Sequence, residues 1–126
     1  MTIQLRDAGA KGRGVFALVP FEPGQRIEEA PALVIPAGQR EHVNRTDLAD
    51  YPYDWSDQAE ALLMGLGSFY NHSYQPNARY VKNFDRRSIE FFALCAIAPD
   101  DEITINYNGR PDDPAPLWFQ VVEPQR

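Results

Sequence analysis

Apolar residues along the chain gather in short runs set off by turn-forming residues, and long helical periodicity is absent. The first two runs are Val15 to Leu18 and Ile27 to Ile35. The turn "FEPGQ" joins them, with Pro23 fixing its own backbone angle and Gly24 supplying the permissive one. The polar stretch "AGQREHVNRTDLADYPYDWSD" reads as irregular chain with a short helical turn. Ser56 and Asp57 then stand where they can cap a helix over "DQAEALLMGLG", in which Ala59, Leu62, Leu63 and Leu66 fall near one face. Gly65 and Gly67 end that helix. Two further runs, "ARYVKNF" and "SIEFFALCAIA", flank the charged turn "DRRS" and predict a hairpin. "APDDE" turns the chain into "ITINYNG", whose Asn108–Gly109 pair is another strong turn signal. The tail from Arg110 is rich in proline and aspartate apart from "LWFQVV". The pattern predicts a mostly β domain of short strands with one small helix.

One segment resists this reading. "SFYNHSYQPNARY", Ser68 to Tyr80, has polar side chains on both alternating faces, and Pro76 removes a backbone donor, so it makes a poor strand. Nothing in it repeats at helical spacing, and Pro76 would break a helix. Its side chains are those of a surface that holds something other than apolar core.

Composition narrows the possibilities. At 126 residues, 44% hydrophobic and 24% charged, the chain has the size and make-up of one soluble globular domain, 1–126, with no repeat or low-complexity run. No apolar run approaches the roughly 20 residues of a membrane span, and no secretory signal pattern opens the chain, so a cytoplasmic, membrane-free protein is expected. A net charge of −6 without a basic patch argues against nucleic-acid binding and suits a basic partner. The lone Cys95 excludes an internal disulfide and a cysteine-rich zinc cluster, and its place in "IEFFALCAI" reads as an inert core thiol. His42 and His72 lie too far apart in sequence for metal-ligand spacing, so no metal is expected.

Three short motifs carry chemistry. In "KGRGVFA", Gly12 and Gly14 flank Arg13 ahead of a strand, which lets backbone approach a ligand or another backbone closely. Without a third glycine and a following helix it is no dinucleotide fingerprint. Asn71 offers two donors and an acceptor to a polar ligand, next to His72. Tyr107 ends "DDEITINY", where alternation groups it with Ile103 and Ile105 and sets Thr104 and Asn106 on the other face. Each alone is as well explained by a turn, a satisfied histidine or a core aromatic.

In this order and spacing the three together resemble the SET domain, a family of protein-lysine methyltransferases. "MGLGSFYNHSYQPNAR" and "IAPDDEITINYN" in particular are similar to the compact SET proteins of large viruses and bacteria. The resemblance implies a SET (β-clip) fold of short strands in small sheets, in which the Asn-His-Ser segment is threaded by the later Glu-Ile-Thr segment in a knot-like arrangement. It implies S-adenosylmethionine as cofactor. The backbone of Gly12, Arg13 and Gly14, the Asn71 side chain and His72 would contact it, with Trp118, or its neighbour Phe119, as a lid near adenine. Tyr107 matches the family's essential catalytic tyrosine, and Tyr51, Tyr80 and Ile105 would line the substrate lysine channel.

The implied reaction is methyl transfer to a lysine amine of a basic protein substrate, without metal or covalent enzyme intermediate. A non-catalytic SET-like module that binds a peptide or partner is the other reading, and keeping Asn71, His72 and Tyr107 together favours the enzyme. The sequence departs from the family at Ser68 and Tyr74, where arginine and cysteine are common. With only Cys95 it cannot build the zinc segments many members add around the core, about 1–109 here. The channel is therefore expected to be closed by the tail, 110–126, or by the second subunit of a homodimer.

Overall fold

The computed structural model describes residues 1–121. Nine strands dominate: β1 (Ile3–Asp7), β2 (Arg13–Ala17), β3 (Arg26–Ile35), β4 (Tyr53–Asp54), β5 (Glu60–Leu63), β6 (Asn71–His72), β7 (Ala78–Asn83), β8 (Ser88–Ala93) and β9 (Glu102–Ile105). The one α-helical turn among the described residues, α1 (Arg40–Val43), lies in the polar stretch where a helical turn is expected. No helix among the described residues is long and apolar enough to cross a membrane. Residues 122–126, which include the last position of "LWFQVV", lie outside the described residues.

The strands form a four-stranded sheet in the order β1-β2-β9-β6 and a five-stranded sheet in the order β4-β5-β3-β8-β7. The expected hairpin is present, β7 and β8 pairing from Ala78↔Ala93 to Asn83↔Ser88. Alternation in β8 places Ile89, Phe91 and Ala93 in the core, where they meet Val15, Ala17, Ile103 and Ile105 from the other sheet. The turn at Gly24 takes φ +83°, and Gln25 N–H donates back to Glu22 at 3.0 Å.

β9 is the element that joins distant chain. It lies between β2, paired antiparallel through Val15↔Ile103, and β6, paired parallel through Asn71↔Thr104 and His72↔Ile105. The late segment therefore sits between the first motif and the central one, a non-local pairing that strand pattern alone does not suggest. Asn77 locks the insertion, donating to the Glu102 carbonyl and accepting from Thr104 N–H, both at 2.8 Å.

Two sequence expectations are corrected, and one strand lies outside the predicted pattern. The segment "DQAEALLMGLG" is not a helix: Glu60–Leu63 is strand β5, and Asp57 and Gln58 hold φ of 52° and 67° instead of capping. β5 pairs with β3 from Ala32↔Leu63 to Ile35↔Glu60, and burying Ala61 and Leu63 there outweighs the high helix propensity of Glu, Ala and Leu. Cys95 is exposed in a bend after β8, because that strand ends at Ala93. Strand β1, whose "IQLRD" gives no strong apolar signal, pairs along its whole length with β2.

Candidate active site

β6 and β9 bring the three sequence motifs into contact. The Asn71 side chain donates through Nδ2 to the Arg13 carbonyl at 3.0 Å and to Glu102 Oε2 at 2.8 Å. Glu102 also pairs with the Lys11 ammonium, so a cation, a carboxylate and an amide converge on the first motif. A Cβ at position 14 would press on Glu102 Oε2 and fall 2.6 Å from Asn71 Nδ2, so a side chain there displaces both groups. Gly12 takes φ +80°, with open space where a Cβ would stand. Arg13 turns its guanidinium over the Phe69 ring, 4.9 Å from the centroid.

His72 and Tyr107 are coupled across the parallel pair. His72 Nδ1 accepts from the Tyr107 backbone N–H at 3.0 Å, which fixes where the chain leaves β9. The Tyr107 hydroxyl donates to the main-chain oxygen of Tyr70 at 2.6 Å. Burial pushes the Tyr107 phenol well above the usual tyrosine range, and the Glu102 and Asp50 carboxylates add to it. The hydroxyl is therefore neutral across physiological pH.

Tyr107 faces a cavity of about 630 Å³ walled by Tyr51, Tyr53, Tyr70, Tyr80 and Trp118. Tyr53 and Tyr80 meet edge to face at 5.1 Å, and Tyr53 donates its hydroxyl to the Gly67 carbonyl at 2.7 Å. Burial pushes the Tyr80 phenol up to about 12, with the Asp54 carboxylate acting in the same direction. Tyr70 is fully buried against Phe91, stacked at 4.1 Å, and its hydroxyl donates to Glu28 Oε1 at 2.8 Å. The second Glu28 oxygen accepts from Leu66 N–H at 3.0 Å.

The tail supplies one wall. Trp118 stacks near Tyr107 with ring centroids 6.1 Å apart and planes 15° from parallel, and its Nε1–H donates to Asp50 at 3.2 Å. Phe119 stands edge-on to His72 at 6.4 Å. Amide and hydroxyl bonds fasten this segment: Asn106 donates to the Asp113 carbonyl, and Asn108 and Tyr74 both donate to that of Ala115. Tyr74, one of the two departures from the family pattern, thus pins the tail. Ser68, the other, accepts from Leu63 N–H at 2.9 Å.

Of the residues singled out in the sequence, Gly12, Arg13, Gly14, Asn71, His72 and Tyr107 form one connected cluster, and Tyr51, Tyr80 and Trp118 line the adjoining cavity. Ile105 does not line it. The residue is 0% exposed, its backbone paired with His72, and its side chain belongs to the core. Sequence reasoning missed Tyr53, Tyr70 and Glu28. Tyr53 was within reach, since it stands two residues from Tyr51 in "YPY" and period-2 spacing groups the two. No local signal marks Tyr70, which acts here through its backbone oxygen.

The sequence profile described as the SET domain matches residues 12–108. The chain is 35% identical over 119 residues to the H3 lysine-37 specific histone-lysine N-methyltransferase of Schizosaccharomyces pombe, covering 94% of this chain and 77% of the relative. The crystal structure of a Plasmodium falciparum protein assigned as a histone methyltransferase superposes with a TM-score of 0.68 at 32% identity, over 84% of this chain and 92% of that one. An autoinhibited ctPRC2 structure bound to S-adenosylmethionine superposes with a TM-score of 0.73 over 84% of this chain and 15% of that one; at 21% identity it speaks for the fold alone. Profile, relatives and fold all place the chain in the SET domain family.

Proposed function

We propose that this chain transfers a methyl group from S-adenosylmethionine to a lysine side-chain amine of a protein substrate. The observation that carries this reading is the Tyr107 hydroxyl, held at 2.6 Å on the Tyr70 carbonyl in the wall of an aromatic cavity. The residues beside it fit the charged end of the cofactor. Lys11 offers donors to a carboxylate, and Glu102, the Asn71 amide oxygen and the Arg13 carbonyl offer acceptors to an ammonium, around a glycine with no side chain to obstruct them. Arg13, Gly14, Asn71 and His72 would hold the cofactor, with Gly12 shaping the turn and Trp118 closing one side. When bound, S-adenosylmethionine supplies an electrophilic methyl group on a positively charged sulfur.

The protein's own residues account for the rest of the chemistry. A free lysine has a pKa near 10.4, so presenting it as a neutral nucleophile at pH 7 costs about 4 to 5 kcal/mol. The walls of Tyr51, Tyr53 and Tyr80 exclude water from the lysine stem, and desolvation lowers the pKa of the amine. Tyr107 contributes position rather than base catalysis. Its neutral hydroxyl is fixed at one end by Tyr70 and its backbone at the other by His72, which holds the reacting groups in a near-attack arrangement. The tail through Trp118 completes the site within the same chain. The fission-yeast relative is specific for a histone H3 lysine, and a basic extended segment of that kind suits a cavity bordered by Asp50, Asp54 and Glu60.

Isothermal titration with S-adenosylmethionine tests the assignment of the cofactor site. Micromolar binding that is lost in a folded Asn71→Ala variant supports it. Absence of binding by the folded wild-type chain contradicts it and favours a non-catalytic peptide-binding module.

A further inference from the structure

Glu60 is 7% exposed and lines the cavity, yet its Oε1 has no hydrogen-bond partner among the described residues. Buried carboxylate oxygens without a donor are rare in native folds because desolvation is then uncompensated. Glu60 stands directly opposite Asp54 in the β4–β5 ladder, which sets both carboxylates on one face, and Asp54 lines the same cavity. A single guanidinium serves the pair. Arg40 Nη2 lies 3.4 Å from Glu60 Oε2 and 3.8 Å from Asp54 Oδ1, while its Nη1 is committed to the backbone and side-chain oxygens of Gln58, each at 3.2 Å. Two carboxylates against one guanidinium leave a negative charge in surplus. The nearby Lys82 donates to the Trp55 carbonyl at 3.4 Å and, among the described residues, forms no ion pair with either carboxylate.

Resting on the lysine-methylating reading above, we infer that Glu60 and Asp54 form a subsite for a guanidinium of the substrate, an arginine flanking the target lysine. A planar guanidinium presents several N–H donors in a fixed fork, so one can satisfy Glu60 Oε1 while another reaches the exposed Asp54 carboxylate. Arg40 already binds the same two carboxylates. A second lysine, a single compact charge, would satisfy the pair less completely. The subsite thereby selects which lysines are methylated.

The test uses short peptides with one central lysine and one arginine walked through the neighbouring positions, each paired with an alanine counterpart, in a methyl-transfer assay with the full chain. At one or two positions, arginine is expected to raise kcat/KM roughly ten- to a hundredfold over alanine. Replacing that arginine by uncharged citrulline removes the gain, a comparison made on the wild-type protein and so independent of any variant's folding. In Glu60→Gln the arginine-to-alanine ratio falls toward one, and in Asp54→Asn it falls less, because that side chain is exposed. Methylation without arginine dependence at any position overturns the subsite and leaves the lysine reading standing. So does a preference that persists in Glu60→Gln. Methylation of no peptide by a chain that binds S-adenosylmethionine contradicts the lysine reading, and the subsite with it.

Discussion

The hydroxyl of Tyr107 donates to the main-chain oxygen of Tyr70 at 2.6 Å. Tyr70 is in turn held through its own hydroxyl by Glu28, which also takes the Leu66 N–H, so the position of the Tyr107 oxygen depends on a carboxylate in β3. A partly buried acceptor on strand β3 thus sets the geometry of a hydroxyl at the end of β9.

Removing that acceptor should be costly. Glu28→Ala leaves the Tyr70 hydroxyl and the Leu66 N–H without a partner in a packed region, which costs about 2 to 4 kcal/mol. Glu28→Gln should cost less, because its amide oxygen still accepts from Leu66 and its NH₂ can donate to the Tyr70 oxygen. Chemical denaturation of the three proteins checks the order. Equal stability of Glu28→Ala and wild type would contradict the role given to Glu28.

The first motif makes a prediction about space. Gly14→Ala sets a methyl group against Asn71 and Glu102, which are themselves fixed by Arg13 and Lys11. The expected loss is about 1 to 3 kcal/mol of stability together with weakened S-adenosylmethionine binding. Gly38→Ala, with nothing within 4 Å, is the control and should be near neutral. Thermal unfolding and cofactor titration of both variants distinguish local crowding from a general intolerance of substitution.

Trp118 separates binding from folding. The ring is 64% exposed and touches the site chiefly through Tyr107 and Asp50. Trp118→Ala should change stability by less than about 1 kcal/mol while weakening cofactor or substrate binding several-fold. Unchanged binding constants would remove the tail from the site.

The tyrosine walls predict a stability profile at alkaline pH. Burial, and then the Asp54 carboxylate, raises the Tyr80 phenol from 10.0 to about 12, so the folded state favours the neutral form. The unfolded chain releases this proton first, and stability that is complete below pH 10.0 should be lost as the pH rises toward about 12. Tyr53, Tyr70 and Tyr107 are shifted in the same direction by burial. Denaturant midpoints measured across this range should fall, and the fall should be shallower in Tyr80→Phe.

Much of the connected cluster was legible in the sequence, because each of the three motifs that form it is a contiguous stretch of chain. The hairpin of β7 and β8 was legible for a similar reason: alternation and a charged turn are local signals. What the sequence concealed was decided by non-local contact. "EALL" is too short for periodicity to separate strand from helix, and the choice was made by β3 and β4 on either side of it. Ile105 looked like a channel residue by position, but the parallel pairing with His72 places it in the core. Glu28 carries no signal of its own, since its partners lie 38 and 42 residues further along the chain.

The role proposed for Tyr107 is to hold the reacting groups for methyl transfer to lysine. Its most direct test is mass spectrometry of a lysine peptide incubated with S-adenosylmethionine and either the wild-type chain or Tyr107→Phe. Methyl-lysine is expected with the wild type, its formation slowed by at least roughly a hundredfold in the variant, which should keep its fold and its affinity for the cofactor. Undiminished methylation by Tyr107→Phe, or no methyl-lysine from a wild-type chain that binds the cofactor, would contradict it.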